Sequence, residues 1–376
     1  MKKIILLFFY ITSCFSQKAL HEIPFNLVNN KIYLNVIVKN RALKMILDTG
    51  EYGTVFNIKN PVLKKINQRV IYKTPLQLNI NNLIKKVNLI RFNNLNKYLD
   101  EYCDGILGID FFKDYILEIN YHKQVIKLYD SQDENIKKNY LKLETKQNNK
   151  NIELYKRFTT KLEISTVNGK QIFGDFIIDT GSSRGITTIN SFQKLKNTES
   201  IFSIKTANAS PHGFNSPQYF KIKSLTFNKR KYPFLIIDNN EDVRIENKNT
   251  PIFKGIIGGK FLKNFNIIID FKKSQVFIKE LDFKRNHNFI TDGVKLKDYR
   301  KKGEKITIAS IIEETGKNLQ LNDRILKINN VKINKIDINK YRLNKNKIGS
   351  VNYYTVKRGK RILQFKKTVK NFNTSL

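Results

Sequence analysis

Asp48 and Asp179 are the acidic residues whose surroundings repeat. Met45-Ile46-Leu47-Asp48-Thr49-Gly50 is matched by Phe176-Ile177-Ile178-Asp179-Thr180-Gly181. In each copy an apolar run delivers a carboxylate to a turn. There Gly removes the steric barrier to close backbone approach, and Thr supplies a hydroxyl to fix the turn. Two carboxylates brought within about 3 Å of each other cannot both ionise easily, so one keeps its proton. Such a pair can hold a water, the ionised member acting as general base and the protonated one polarising a scissile carbonyl. Other chemistry is thinly represented. The histidines (His21, His122, His212 and His287) are scattered, and the two cysteines, Cys14 and Cys103, form no C-x-x-C. A disulfide framework, a thiolate zinc site and a histidine-based triad are thereby disfavoured. No metal or cofactor is expected, hydrolysis would rest on carboxylates, and Cys103 reads as a core residue.

The elements around the two motifs also repeat. Ile32–Val38 reads as a strand before the first; Lys161–Ile164 and Gln171–Ile178, around the hairpin signal Asn168-Gly169, precede the second. Downstream, Asp104-Gly105-Ile106-Leu107-Gly108-Ile109-Asp110-Phe111-Phe112 pairs with Lys254-Gly255-Ile256-Ile257-Gly258-Gly259-Lys260-Phe261-Leu262, and each block runs into a strand, a turn and a strand. The apolar-apolar-Gly segments are expected to pack across the Asp-Thr-Gly turns, Gly permitting close contact. Two blocks in the same order, twice, mean two copies of one β-rich lobe.

On these residues the chain resembles an aspartic peptidase of the retropepsin-like kind, with two pseudo-symmetric lobes fused in one chain over roughly residues 20 to 285. The resemblance implies a mainly β fold with two β-barrel lobes. It implies an endopeptidase acting on peptide or protein substrates, with Asp48 and Asp179 as the catalytic pair. Thr49 and Thr180 would bond across the lobe interface, while Gly50 and Gly181 shape the turns. Ser182 fits the small residue expected after the second Gly, but Glu51 departs from that pattern in the first lobe. Turned inward, it would raise the dyad's pKa values by like-charge repulsion and weaken catalysis; turned outward or paired with a lysine, it would not. Because one chain supplies both carboxylates, homodimerisation is not required. Substrate-covering flaps are expected at Ala207–Gln218, with Ser210, His212 and Gly213 near its tip, and around Tyr72–Asn82 in the first lobe.

The remaining segments give the domain plan. Residues 1–16 carry Lys2 and Lys3, the apolar run Ile4–Ile11 and then small residues, the layout of a secretory signal peptide. Ile11-Thr12-Ser13-Cys14 also resembles a bacterial lipobox. The protein is accordingly expected to be exported to a periplasm, cell envelope or medium, with membrane attachment only through lipidated Cys14. Residues 17–130 and 152–285 are the lobes, and 131–151 reads as an exposed connector. Residues 286–372 form a further unit, in which Leu319-Gln320-Leu321-Asn322-Asp323-Arg324-Ile325 and Ile328-Asn329-Asn330 resemble a PDZ domain. Asn322 and Asn330 stand where that pattern carries Gly, and both tolerate left-handed turns. The resemblance implies a small α+β module that adds a C-terminal or extended peptide to its sheet edge, with Lys302-Gly303-Glu304 as the nearest candidate for its carboxylate loop.

The 376 residues carry a formal net charge of +37, with 40% hydrophobic and 11% aromatic residues. This describes a folded, strongly basic chain. Its lysines are spread throughout without a nucleic-acid-binding signature, so specific nucleic-acid binding is not expected. The reading is an exported aspartic endopeptidase with a PDZ-like module. The alternative is a catalytically degenerate relative that binds peptides in the envelope.

Overall fold

The structure, a computed structural model, describes residues 18–57, 75–88, 90–92, 103–147, 157–189, 200–206, 218–233, 236–240, 253–281, 290–298, 305–312, 319–338, 340–341 and 347–371. The expected signal segment 1–16, the second-lobe flap residues Ser210, His212 and Gly213, and Lys302–Glu304 lie outside them.

The molecule is built of β-strands in two lobes and a C-terminal unit. In each lobe a hairpin leads into the motif. Lys31–Val38 pairs with Arg41–Leu47, and Phe158–Thr166 with Gln171–Asp179. Their sequences alternate on the exposed stretches and become continuously apolar near the motif, because that end is covered on both faces. The strand that ends at each aspartate then pairs in parallel with the later Gly-containing segment. Met45, Ile46 and Leu47 face Gly105, Ile106 and Leu107; Phe176 to Asp179 face Gly255 to Gly258. A one-turn helix follows each, Ile109–Phe112 and Gly259–Leu262.

A six-stranded sheet ties the lobes together. Its central strands, Tyr115–Asn120 and Phe265–Asp270, come one from each lobe and run antiparallel, with Ile116 opposite Asp270 and Ile119 opposite Ile267. The continuous core beneath draws on both lobes, including Phe111, Phe112, Phe158, Phe227 and Phe265.

The connector after Asp130 is more than an exposed link. Leu141–Lys142 forms the last strand of the six-stranded sheet against Gln275–Glu280, and Leu143 is buried. Lys137, also buried, donates to the fully buried Asp270 at 2.6 Å and to Glu134. The segment's polar composition concealed this, since lysine can bury its stem when its ammonium finds carboxylates.

The C-terminal unit has its own core around Leu296, Ile308, Ile325, Ile328 and Tyr354. Asn322 and Asn330 have φ of +66° and +64°, the left-handed turns their type allows. Asp323, buried, accepts the Gln320 N–H and is clamped by Arg358 from Nε at 2.8 Å and from Nη2 at 2.6 Å. The unit's sheet is continuous with the second lobe: Ile306–Ile312 pairs antiparallel with Ser200–Thr206, Ile204 opposite Ile312 and Thr206 opposite Ser310.

Candidate active site

The two Asp-Thr-Gly turns meet at the lobe interface. Thr49 Oγ1 accepts the Thr180 N–H at 3.1 Å and donates to the Ile178 carbonyl at 2.8 Å. Thr180 Oγ1 reciprocates, accepting the Thr49 N–H at 3.1 Å and donating to Leu47 O at 2.9 Å. Both threonines are 1% exposed, so these four bonds work in a dry setting where leaving any one unmade costs about 1–3 kcal/mol. The aspartates follow Leu47 and Ile178 directly, so this lattice fixes their backbones.

The glycines explain why the carboxyls can meet. A Cβ on Gly50 would lie 2.8 Å from Asp179 Cγ, and one on Gly181 would fall inside the Asp48 carboxyl. Each turn thus packs against the aspartate of the opposite lobe. The Gly50 N–H donates to Asp48 Oδ1 at 2.8 Å, and the Gly181 N–H to Asp179 Oδ1 at 2.8 Å. Each carboxyl faces the glycine turn of the other lobe across the interface. Burial raises both pKa values, Asp48's well above the usual carboxylate range, with Asp179 and then Glu51 adding repulsion on Asp48.

The later Gly segments brace the turns, as their pattern predicts. The Asp48 N–H donates to Leu107 O, Ile109 N–H to Glu51 O and Asp110 N–H to Tyr52 O. In the second lobe Gly258, Gly259 and Lys260 donate to the carbonyls of Gly185, Ser182 and Arg184. A Cβ on Gly108 would lie 2.5 Å from Gly53 O, and one on Gly258 would lie 2.5 Å from Arg184 O. Across the interface, Asn30 Nδ2 donates to Ser183 O at 3.0 Å, and Asn30 Oδ1 accepts from Lys263.

Glu51 is not turned out to solvent, and among the described residues no lysine pairs with it. It is half-buried. Burial raises its pKa, opposed first by the charge of Arg157.

The expected first-lobe flap around Tyr72–Asn82 is described from residue 75 onward. Residues 75–80 form a strand against the hairpin, with Asn79 opposite Ile37, and they turn at Asn81-Asn82 into Leu83–Asn88. That strand occupies the place that Gln218–Phe227 takes against the second hairpin, downstream of the flap candidate there. Residues 72–74 of the expected segment lie outside the described residues. Two asparagines at φ +47° and +69° supply the turn without glycine.

Several supporting residues carry no repeat signal in the sequence. Asp110 accepts from the Thr54 N–H at 3.0 Å and from its hydroxyl at 2.7 Å, anchoring the first motif's outgoing strand. Its counterpart is Lys260, which cannot accept. Buried Asp238, from the Ile236–Asn240 strand, anchors the second lobe instead, held by Arg184 at 2.6 Å and Thr187 at 2.9 Å. Cys103 is fully buried, and burial pushes its thiol up to about 12, as suits a core residue and not a nucleophile.

No family model matches the chain, and no curated protein does. Among solved structures, the chain is similar to the crystal structure of an aspartic proteinase from Irpex lacteus at a TM-score of 0.44 and 12% identity. The match covers 71% of this chain and 99% of that one.

Proposed function

We propose that this chain is an aspartic endopeptidase of the two-lobed, retropepsin-like kind, acting on peptide or protein substrates. The observation that carries the reading is the pair of buried carboxyls, Asp48 and Asp179, brought to one interface by reciprocal threonine bonds. One carboxylate takes a proton from water as it attacks the scissile carbonyl; the other carboxyl donates its proton to the carbonyl oxygen. The tetrahedral intermediate then collapses as a proton passes to the leaving amine. Ser182 supports the second aspartate through its N–H, at 2.9 Å from Asp179 Oδ1. The N-terminal segment favours export, and the C-terminal unit, read as PDZ-like, would bind a peptide strand.

A catalytically degenerate, peptide-binding protein is the second reading, favoured by the negative charge of Glu51 beside Asp48. Incubating the purified protein with a diverse peptide mixture from acidic to neutral pH, alongside Asp48→Asn and Asp179→Asn, decides between them. Cleavage by the wild type that is lost in both variants, with a bell-shaped pH profile, supports the peptidase. Peptide binding without cleavage supports the degenerate reading.

A further inference from the structure

The C-terminal unit carries a sheet face that plays no part in the dyad. In its hairpin, Val351–Arg358 with Arg361–Thr368, Asn352, Tyr354 and Val356 are buried, so Tyr353, Thr355 and Lys357 stand on the opposite face. Register extends that face across the neighbouring strands. Lys366 lies opposite Tyr353, Gln364 opposite Thr355 and Ile362 opposite Lys357. On the other side Lys327 lies opposite Thr355 and Arg324 opposite Lys357, and Lys332 in turn opposes Lys327. Residues directly opposite in adjacent strands share a face.

The result is a grid with one sign of charge. It holds Arg324, Lys327, Lys332, Lys357 and Lys366, and none of the positions just placed on it is acidic. The four lysines are exposed, and among the described residues no carboxylate pairs with any of the five cations. The lobes treat their sheet lysines differently: Lys127 meets Glu22 at 2.9 Å, and Lys161 meets Glu144 at 3.2 Å. Protection of a sheet edge does not account for the difference, because Lys327 and Lys357 lie on interior strands. Two large apolar side chains sit among the cations, Tyr353 at 53% exposure and Ile362 at 65%.

Unpaired like charges beside exposed apolar groups fit a partner that is anionic and apolar at once. A lipid surface is both. Headgroup phosphates meet the ammonium groups, while the lysine stems, Tyr353 and Ile362 reach the acyl boundary. A nucleic acid would satisfy the cations, but Ile362 has no ring on which a base could stack. We infer that this face docks the protein on an anionic lipid bilayer, through the five cations and the side chains of Tyr353 and Ile362. The inference rests neither on the peptidase reading nor on a lipid at Cys14.

The test is sedimentation of the full chain with vesicles of phosphatidylglycerol and phosphatidylcholine, against vesicles of phosphatidylcholine alone. Every variant carries the same N-terminal segment, so differences between variants read the folded protein. The wild type should prefer the mixed vesicles, and added salt should weaken that binding. Each cation removed should cost about fivefold in affinity, the factor that corresponds to about 1 kcal/mol per basic residue near an anionic surface. Lys327→Gln/Lys357→Gln/Lys366→Gln should therefore bind about 100-fold more weakly, and Tyr353→Ser/Ile362→Ser about tenfold more weakly. Lys123→Gln/Lys223→Gln/Lys272→Gln removes the same charge from exposed positions on the lobes and should stay close to the wild type. Equal losses in the two triple variants would make the attraction a matter of net charge and overturn the inference. A wild type without preference for the mixed vesicles overturns it too, as does one that ignores them and binds a polyuridylate probe through these lysines. Should Tyr353→Ser/Ile362→Ser fail to fold, the two lysine triples decide it.

Discussion

The two lobes share a backbone plan but not a set of side chains. Both end a hairpin strand at Asp-Thr-Gly, both pair that strand in parallel with a Gly-containing segment, and both brace the turn with main-chain bonds from that segment. Around this frame they diverge. The first lobe follows its Gly with Glu51, and the second with Ser182. The first anchors its outgoing strand through Asp110 and Thr54, the second through Asp238, Arg184 and Thr187. Backbone geometry is what makes the carboxyls meet, so it is kept. Buried polar anchors need only be satisfied, so either lobe can supply its own.

The comparison breaks most severely at the aspartates themselves. Asp48→Asn and Asp179→Asn should each lower kcat by about 10²–10⁴-fold or more, since each removes one half of the proton transfer. If one variant keeps wild-type turnover in a peptide-cleavage assay, the lobes do not contribute jointly.

Next come the glycines. Gly181→Ala places a methyl in the Asp48 carboxyl, while Gly50→Ala brings one to 2.8 Å from Asp179. Both should abolish cleavage and cost about 1–3 kcal/mol of stability by overpacking, Gly181→Ala the more. Chemical denaturation of the two variants measures the ranking, and the reverse order would show that the turns do not sit as described.

Thr49→Val and Thr180→Val should have near-equal effects because their bonds mirror one another. Each strands a buried N–H and a buried carbonyl of the other lobe, at about 1–3 kcal/mol per group. A double-mutant cycle should show strong coupling, as the two side chains share one network. Additive effects would contradict the reciprocal lattice.

The second lobe also differs in carrying the C-terminal unit on its sheet. Removing residues 286–376 uncovers the Ser200–Thr206 edge, which otherwise pairs with Ile306–Ile312. An unpaired edge promotes association. The shortened protein should melt lower and scatter more light; unchanged melting and a monodisperse solution would show the sheet continuation to be dispensable.

The smallest expected effect is on stability against pH. The pKa values of both aspartates are raised in the folded protein, so the native state holds protons that the unfolded chain releases near pH 4. This contribution is fully present below that unfolded value and fades as pH rises through the raised folded values. Melting temperature should fall over that window, and Asp48→Asn should flatten the fall.

The sequence by itself determined the doubled frame. Apolar strands ending in Asp-Thr-Gly, the later Gly segments and the asparagine turns are local features, legible because each fixes its own backbone. It also located Asn322 and Asn330 at left-handed turns and Cys103 in the core. Tertiary structure alone decided what surrounds the carboxyls. The burial of Glu51 and the anchoring by Asp238 depend on contacts between residues far apart in the chain. So does the entry of Leu141–Lys142 into the central sheet. Local periodicity records which face a residue presents, but not which distant charge will meet it once water is excluded.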